Sequence, residues 1–268
     1  MADTIYTIPV SEAFEADCEC PVCELKKRFE NSTVEYFAGP SLMEPDTRIV
    51  TNDLGFCGRH FNMLYNSQAK KLGLGLMLDT YMQEQLKRIK KYAQAKDTGT
   101  TEEDASPDPE SGENHGEKRK KFSLFGGKNA SKPAASQPLV KYLRAHEKEC
   151  AVCKKLDYTM DRYVDIIFHM YKTDRDFRAK FRSSKGFCVP HTALLLEESG
   201  KKLGGSTRDE FRDTVTSLLV TNLERIEGEV DWFTKKFDYR NAEADWGNSR
   251  DALPRGILKM TGETDIIK

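Results

Sequence analysis

Cys20-Pro21-Val22-Cys23 and Gly55-Phe56-Cys57-Gly58-Arg59-His60 return later in the chain as Cys150-Ala151-Val152-Cys153 and Gly186-Phe187-Cys188-Val189-Pro190-His191. The offset is 130 positions for the CxxC pair and 131 for the GFCxxH pair. A third match, Lys-Lys-Leu-Gly, begins at Lys70 and again at Lys201, each time with nine residues between it and the histidine. Three matches in order and near-constant register identify a duplicated unit.

The repeated residues have the chemistry of metal ligands. A structural zinc ion takes four donors in a tetrahedron, mostly thiolates with or without imidazole. CxxC supplies two sulfurs from one turn, and CxxH supplies a sulfur and a ring nitrogen in the same way. One CxxC is weak support for a site, whereas two copies of both pairs are strong support. The expected sites are Cys20, Cys23, Cys57 and His60 in the first unit, and Cys150, Cys153, Cys188 and His191 in the second. The spacer within each unit lets a helix run out and the chain return. A crossed pairing, in which each CxxC joins the other unit's CxxH, would have to span the segment between the units and ranks below. Two zinc ions per chain are expected, with an iron–sulfur cluster as the alternative, since thiolates with an occasional histidine also hold those.

The pattern around these motifs is helical. Pro21 suits the first turn of a helix, where its missing N–H costs nothing, and Glu24 to Phe37 continue it. A second helix is expected from about Gly58 to a stop at Gly73. A third spans about 74–95, with Leu74, Leu78, Met82, Leu86 and Ile89 on one stripe. A lead-in helix around 139–146 opens the second unit. Its last helix, about 207–237, carries Leu219, Leu223, Ile226, Val230, Phe233 and Phe237 in alternating steps of four and three, a packing seam. No stretch alternates as a strand does, so the fold class is all-α. All four ligand pairs then fall at helix N-termini, whose unpaired N–H groups and partial positive charge favour thiolates.

The remaining sequence sets limits. Residues 96–137 are rich in Gly, Ser, Pro, Asp, Glu and Lys and read as a disordered linker, because they cannot bury enough apolar area to offset their ordering entropy. The run Lys118-Arg119-Lys120-Lys121-Phe122-Ser123-Leu124-Phe125 within it is the kind that meets an anionic membrane or a partner, although a solvated linker is the plainer reading. The division is therefore 1–95, a first metal-binding half; 96–137, linker; 138–237, a second metal-binding half; and 238–268, a C-terminal arm laid over the core, with a short helix near Ile257. Hydrophobic residues make up 38% and charged residues 32%, enough for a core. With 42 basic and 43 acidic residues, the net charge of -1 gives no support for nucleic-acid binding. Residues 1–17 lack the basic and apolar runs of a secretory signal. Leu72 to Leu78 is too short to span a bilayer. A soluble cytoplasmic protein is expected, in which seven cysteines are ligands or thiols rather than disulfides. Cys18 has no counterpart, Lys148 standing at its position; it could be a spare thiol, an alternative ligand or part of a Cys-x-Cys redox group, and an ordinary cysteine is the plainer reading. His115 falls in the linker; His146 and His169 lack ligand spacing and are read as packed or solvated.

Taken together, Ile5-Tyr6-Thr7-Ile8-Pro9-Val10, the Cys-Glu-Cys-Pro-Val-Cys run, Gly55 to His60, Lys236-Phe237-Asp238-Tyr239-Arg240-Asn241 and Trp246-Gly247-Asn248-Ser249 resemble an uncharacterised bacterial family, a domain of unknown function. The resemblance covers the whole chain apart from the linker. Members are sometimes labelled transporter substrate-binding proteins, a role that usually needs a leader or lipid anchor, which is not expected here. It implies no mechanism, but supports treating the two ligand sets as the family's hallmark. No phosphate loop, HExxH, nucleophile elbow or dinucleotide fingerprint occurs, and sites fully ligated by protein leave no position for substrate. The expected function is a non-enzymatic zinc-stabilised scaffold that binds a macromolecule, most simply a protein. The alternatives are a thiol-redox or iron–sulfur protein and, behind these, a transport-associated protein.

Overall fold

A computed structural model describes residues 3–67, 71–94 and 138–262, and among these residues it has eleven α-helices and no strand. The expected linker, with its basic run and His115, lies outside the described residues. In chain order the helices are α1 (Asp3–Glu15), α2 (Pro21–Ala38), α3 (Pro45–Leu54), α4 (Gly58–Asn66), α5 (Lys71–Gln94), α6 (Pro138–His146), α7 (Ala151–Thr173), α8 (Arg175–Ser183), α9 (Val189–Lys202), α10 (Gly205–Lys235) and α11 (Ala252–Thr261).

Helices α2 and α7 form the centre, packed side by side and antiparallel. Phe29, midway along α2, meets the edge of Tyr163 at 6.3 Å, while Tyr36 near the end of α2 lies 4.2 Å beneath the ammonium of Lys155 near the start of α7. Each of the two helices starts with a CxxC, so the two CxxC pairs sit at opposite ends of the central pair. Two cores form around those ends. One joins Val10, Phe14, Val22 and Leu25 to Ile167, Tyr171, Phe177, Phe181, Phe187 and Phe211. The other joins Val34, Phe37, Phe56, Leu64 and Met77 to Ala151 and Val152. Each core draws on residues from both sides of the 95–137 segment.

Three helices escaped the sequence reading. α1 contains Pro9 and no clear apolar stripe. α3 is short and polar. α8 is signalled only by its cap: the Asp174 carboxylate accepts from the N–H groups of Asp176 and Phe177 at 2.9 and 3.0 Å, which presents Phe177 and Phe181 to the core.

Two expectations are corrected. Gly73 does not end a helix. α4 stops at Asn66, and Gly73 lies in the first turn of α5, where a Cβ would come within 2.6 Å of Leu42. The stripe Leu78, Met82 and Leu86 faces outward, and α5 instead buries Met77 and Gln85. Polar contacts accompany that face: the Gln85 amide donates to the Asp53 carbonyl, Tyr142 donates to Gln85, and the phenol of Tyr81 meets His146. Along α10, Ile226 is buried, most of the expected seam is half-buried against α9 and α11, and Phe237 is exposed. The arm after α10 is held by Lys236, whose ammonium donates to the carbonyls of Asn241 at 2.6 Å, Ala242 at 3.0 Å and Ala244. Two 3-10 turns and α11 follow, α11 packing on α9 and α10 and including Ile257 as expected.

Candidate metal centres

Cys20, Cys57, Cys150 and Cys188 are the N-cap residues of α2, α4, α7 and α9, as expected, with Cys23, His60, Cys153 and His191 in the first turns. The glycine before each CxxH has a reason to be glycine. Gly55 and Gly186 have φ of 58° and 71°, and both are in close contact, Gly55 with the Tyr81 ring and Gly186 with Leu218. A side chain there would be strained by the backbone, and its Cβ would meet the Tyr81 ring at Gly55 and crowd Leu218 at Gly186.

The eight residues gather into two groups, but the expected pairing within each half is overturned. One group is Cys20, Cys23, Cys188 and His191, and the other is Cys57, His60, Cys150 and Cys153. The cause is the length of the central helices. α2 carries the chain about 27 Å away from Cys20 and α7 carries it about 35 Å away from Cys150, at 1.5 Å per residue. The CxxH that follows is therefore delivered to the far end, where the antiparallel partner helix begins with the other CxxC. Local pairing would need the chain to return the whole length of the helix. Hydrogen bonding fixes the junction, the Ala151 N–H donating to the Gly55 carbonyl at 2.9 Å.

Both groups fit one metal ion. In the first, the Cys188 sulfur lies 3.8 Å from Cys20 and 3.6 Å from Cys23, and Nδ1 of His191 lies 3.5, 3.3 and 3.1 Å from the sulfurs of Cys20, Cys23 and Cys188. In the second, Cys57 and Cys153 are 3.9 Å apart, and Nδ1 of His60 is 3.1, 3.2 and 3.4 Å from Cys57, Cys150 and Cys153. A tetrahedral ion at ordinary bond lengths sets sulfurs about 3.8 Å apart and sulfur and nitrogen about 3.5 Å apart. The sulfurs are far outside the disulfide length of about 2.05 Å, and all seven cysteines are free.

The donors of each group shift one another's protonation. Burial opposes ionising Cys150, but hydrogen bonds from His60 and from the backbone of Cys153 and Cys57 outweigh it and lower the thiol to about 6. Burial opposes charging His60 too, and its bonds to Cys150 and Glu30 outweigh that, raising it to about 10. Burial and the charge of Cys150 push Cys153 up to about 12. In the other group burial again opposes ionising Cys20, and hydrogen bonds from Cys188, Cys23 and His191 bring it well below the usual thiol range. Cys23 is pushed up by its bonds to Cys188 and Cys20 and by burial, and His191 rises to about 9 against its own burial, through Cys188 and Cys20. In each group the neighbouring donors thus lower one thiol and raise the imidazole and a second thiol.

Outside the sulfurs the two groups differ. Nε2 of His60 meets the buried Glu30 carboxylate at 2.9 Å, and Arg59 grips that carboxylate through Nε and Nη2 at 3.1 and 2.9 Å. Burial would raise the Glu30 carboxyl, but His60 and Arg59 outweigh it and hold it below its ordinary value. This is the carboxylate–histidine arrangement that fixes the ring and strengthens the ligand. The second CxxH has Val189-Pro190 where the first has Gly58-Arg59, and the described residues place no carboxylate on Nε2 of His191. We expect Glu30→Gln to weaken metal binding at the Cys57 group about 10–100-fold and to leave the Cys20 group unchanged. A chelator-competition titration reads this directly, and equal weakening at both groups would refute it.

Sequence reasoning missed Glu30, and also Glu19 and Glu149, each standing one residue before a CxxC. Glu19 accepts from Arg225 at 2.6 Å, and Glu149 pairs with His146 at 3.0 Å. The repeated Glu-Cys-x-Val-Cys was a usable signal for the latter two. Glu30 has no repeat and only the fold reveals it. Cys18 stands outside both groups, its thiol raised by burial to about 11. His146 is packed between Tyr81 and Tyr142, and His169 is exposed.

Fold and site together define an all-helical protein with two Cys3His groups, each able to hold a metal ion. The chain belongs to DUF6062, a family of unknown function, whose profile matches residues 1–266. No curated protein and no solved structure matches it. No described helix is long and apolar enough to cross a membrane.

Proposed function

We propose that the protein binds two zinc ions, one in each Cys3His group, as structural centres of a non-enzymatic scaffold for another macromolecule, most simply a protein. The observation that carries this is that three sulfurs and one nitrogen lie within 4.8 Å of one another in each group, close enough to share one tetrahedral ion. A cluster of several irons would hold sulfurs bound to different irons farther apart than two on one ion. Four protein donors leave no position for substrate, as in structural rather than catalytic zinc. Seven unpaired cysteines suit a reducing compartment such as the cytoplasm, and the net charge of -1 does not suit a nucleic-acid partner. In this reading residues 1–95 and 138–237 are duplicated units that exchange their CxxC pairs, and 238–268 is an arm.

A second reading, thiol-redox chemistry, is favoured by the lowered thiol of Cys150 beside Cys57 and Cys153, which are only partly covered. Elemental analysis of anaerobically purified protein separates the two. Colourless protein with close to two zinc equivalents supports the scaffold. Brown, iron-containing protein, or metal-free protein with reactive thiols, overturns it.

Zinc binding should also release protons. Neighbouring sulfurs raise both imidazoles (His60 to about 10, His191 to about 9) and Cys153 and Cys23 are raised as well, so a proton on the imidazole and one on that thiol compete with the ion. Both protons must leave when the ion enters. Affinity therefore rises with pH and falls on acidification. Calorimetry in buffers of different ionisation enthalpy should count at least about two protons per ion; a count near zero would mean that these residues are not the ligands.

A further inference from the structure

Lys259 has no solvent exposure, although it carries an ammonium group. Its Nζ donates to the backbone carbonyls of Glu19 at 2.6 Å and of Lys185 at 2.7 Å, and stands 3.3 Å from the Glu19 carboxylate. An ammonium has three protons to give, and these three oxygens account for them. Glu19 directly precedes Cys20. Lys185 precedes Gly186, the positive-φ residue that turns the chain into Cys188. The two carbonyls thus belong to the two segments that present the ligands of the first group. Those segments come from parts of the chain 166 positions apart, and α11 reaches both. The end of α11 also lies on the group itself, since a Cβ at Gly262 would come 3.8 Å from the Cys188 sulfur. The Cys57 group has no such contact from the arm among the described residues.

We propose that Lys259 is a positioning residue for the Cys20, Cys23, Cys188 and His191 centre, clamping its two ligand segments at the separation one ion requires. This rests on the reading of that group as a metal centre. The Glu19 carboxylate is held independently by Arg225 at 2.6 Å and Arg255 at 3.4 Å, so the carboxylate does not need Lys259 as its counter-ion. Among the described residues, Lys259 supplies the link between the carbonyls of Glu19 and Lys185. The arm does the same on its own turn through Lys236, where one buried ammonium gathers three carbonyls.

The test uses the full chain loaded with cadmium. Two cadmium NMR lines are expected, one lost in Cys188→Ser and the other in Cys57→Ser. Lys259→Met should shift or broaden only the line lost in Cys188→Ser, and should weaken that ion alone by about tenfold or more in chelator competition. Lys259→Gln, which keeps donors in place, should give a smaller change in the same line and covers the case in which the Met variant does not fold. Arg225→Met breaks the same ionic cluster without touching the carbonyl link, and should lower the melting temperature while leaving both lines and both affinities in place. The proposal is overturned if the lysine variants leave both ions unchanged, if they weaken both equally, or if Arg225→Met loosens the first group as much as they do. Wild-type protein that takes up no cadmium would instead refute the metal reading itself.

Discussion

Stripping both metal ions should abolish the helical circular-dichroism signal and the melting transition together. A structural zinc contributes an apparent ~10–16 kcal/mol in zinc-finger peptides at neutral pH, while a whole domain is stable by only about 5–15 kcal/mol. Loss of one centre is enough to unfold a large part of the chain, and the crossed ligands decide which part. His191→Ala removes a donor on α9, but the sulfurs it leaves unsupported include Cys20 and Cys23 at the start of α2. Hydrogen exchange should therefore quicken on both sides of the 95–137 segment, where pairing within halves would confine the damage to the second. Acid near pH 5 should act as the chelator does, because protons compete for the same ligands. Cys18→Ser should change nothing. If chelation strips the ions while helix content and melting temperature persist, the ions do not hold the fold, and metal transfer or thiol exchange becomes the better account.

Double variants should expose the pairing in whole metal equivalents. Cys20→Ser with Cys188→Ser removes two donors from one group, so that protein should keep one ion. Cys20→Ser with Cys57→Ser removes one donor from each group and should keep none. The first pair lies in different halves of the chain and the second in the same half, so pairing within halves predicts the reverse. Native mass spectrometry reads either outcome without a spectroscopic assignment.

The helical class, the eight Cys and His residues that gather into groups and their place at helix N-termini were legible because each depends on local spacing: CxxC and CxxH within one turn, Pro21 at a helix start, glycine before Phe56 and Phe187. The pairing was not legible, because it is set by the relative direction of α2 and α7, which local spacing does not encode. The outward face of α5 was misread for a related reason. An apolar period marks a stripe but not its orientation, and α5 buries Met77 and Gln85 while Leu78, Met82 and Leu86 face outward. Glu30 could not be found in sequence, because its only link to a ligand is the meeting of α2 with α4 in space.

The antiparallel exchange also has a consequence during biosynthesis. Cys20 and Cys23 await partners 165 to 171 positions downstream, and Cys57 and His60 await partners 90 to 96 positions downstream. As the first half leaves the ribosome it carries four candidate ligands, two for each group, and neither group can assemble until Cys150 has emerged. At about 5–20 residues per second that interval is on the order of ten seconds. Throughout it, those thiols are open to oxidation and to the wrong ion, and a second half from a neighbouring nascent chain would serve as well as the chain's own. Overproduction should therefore yield intertwined dimers in which each chain completes the other's centres.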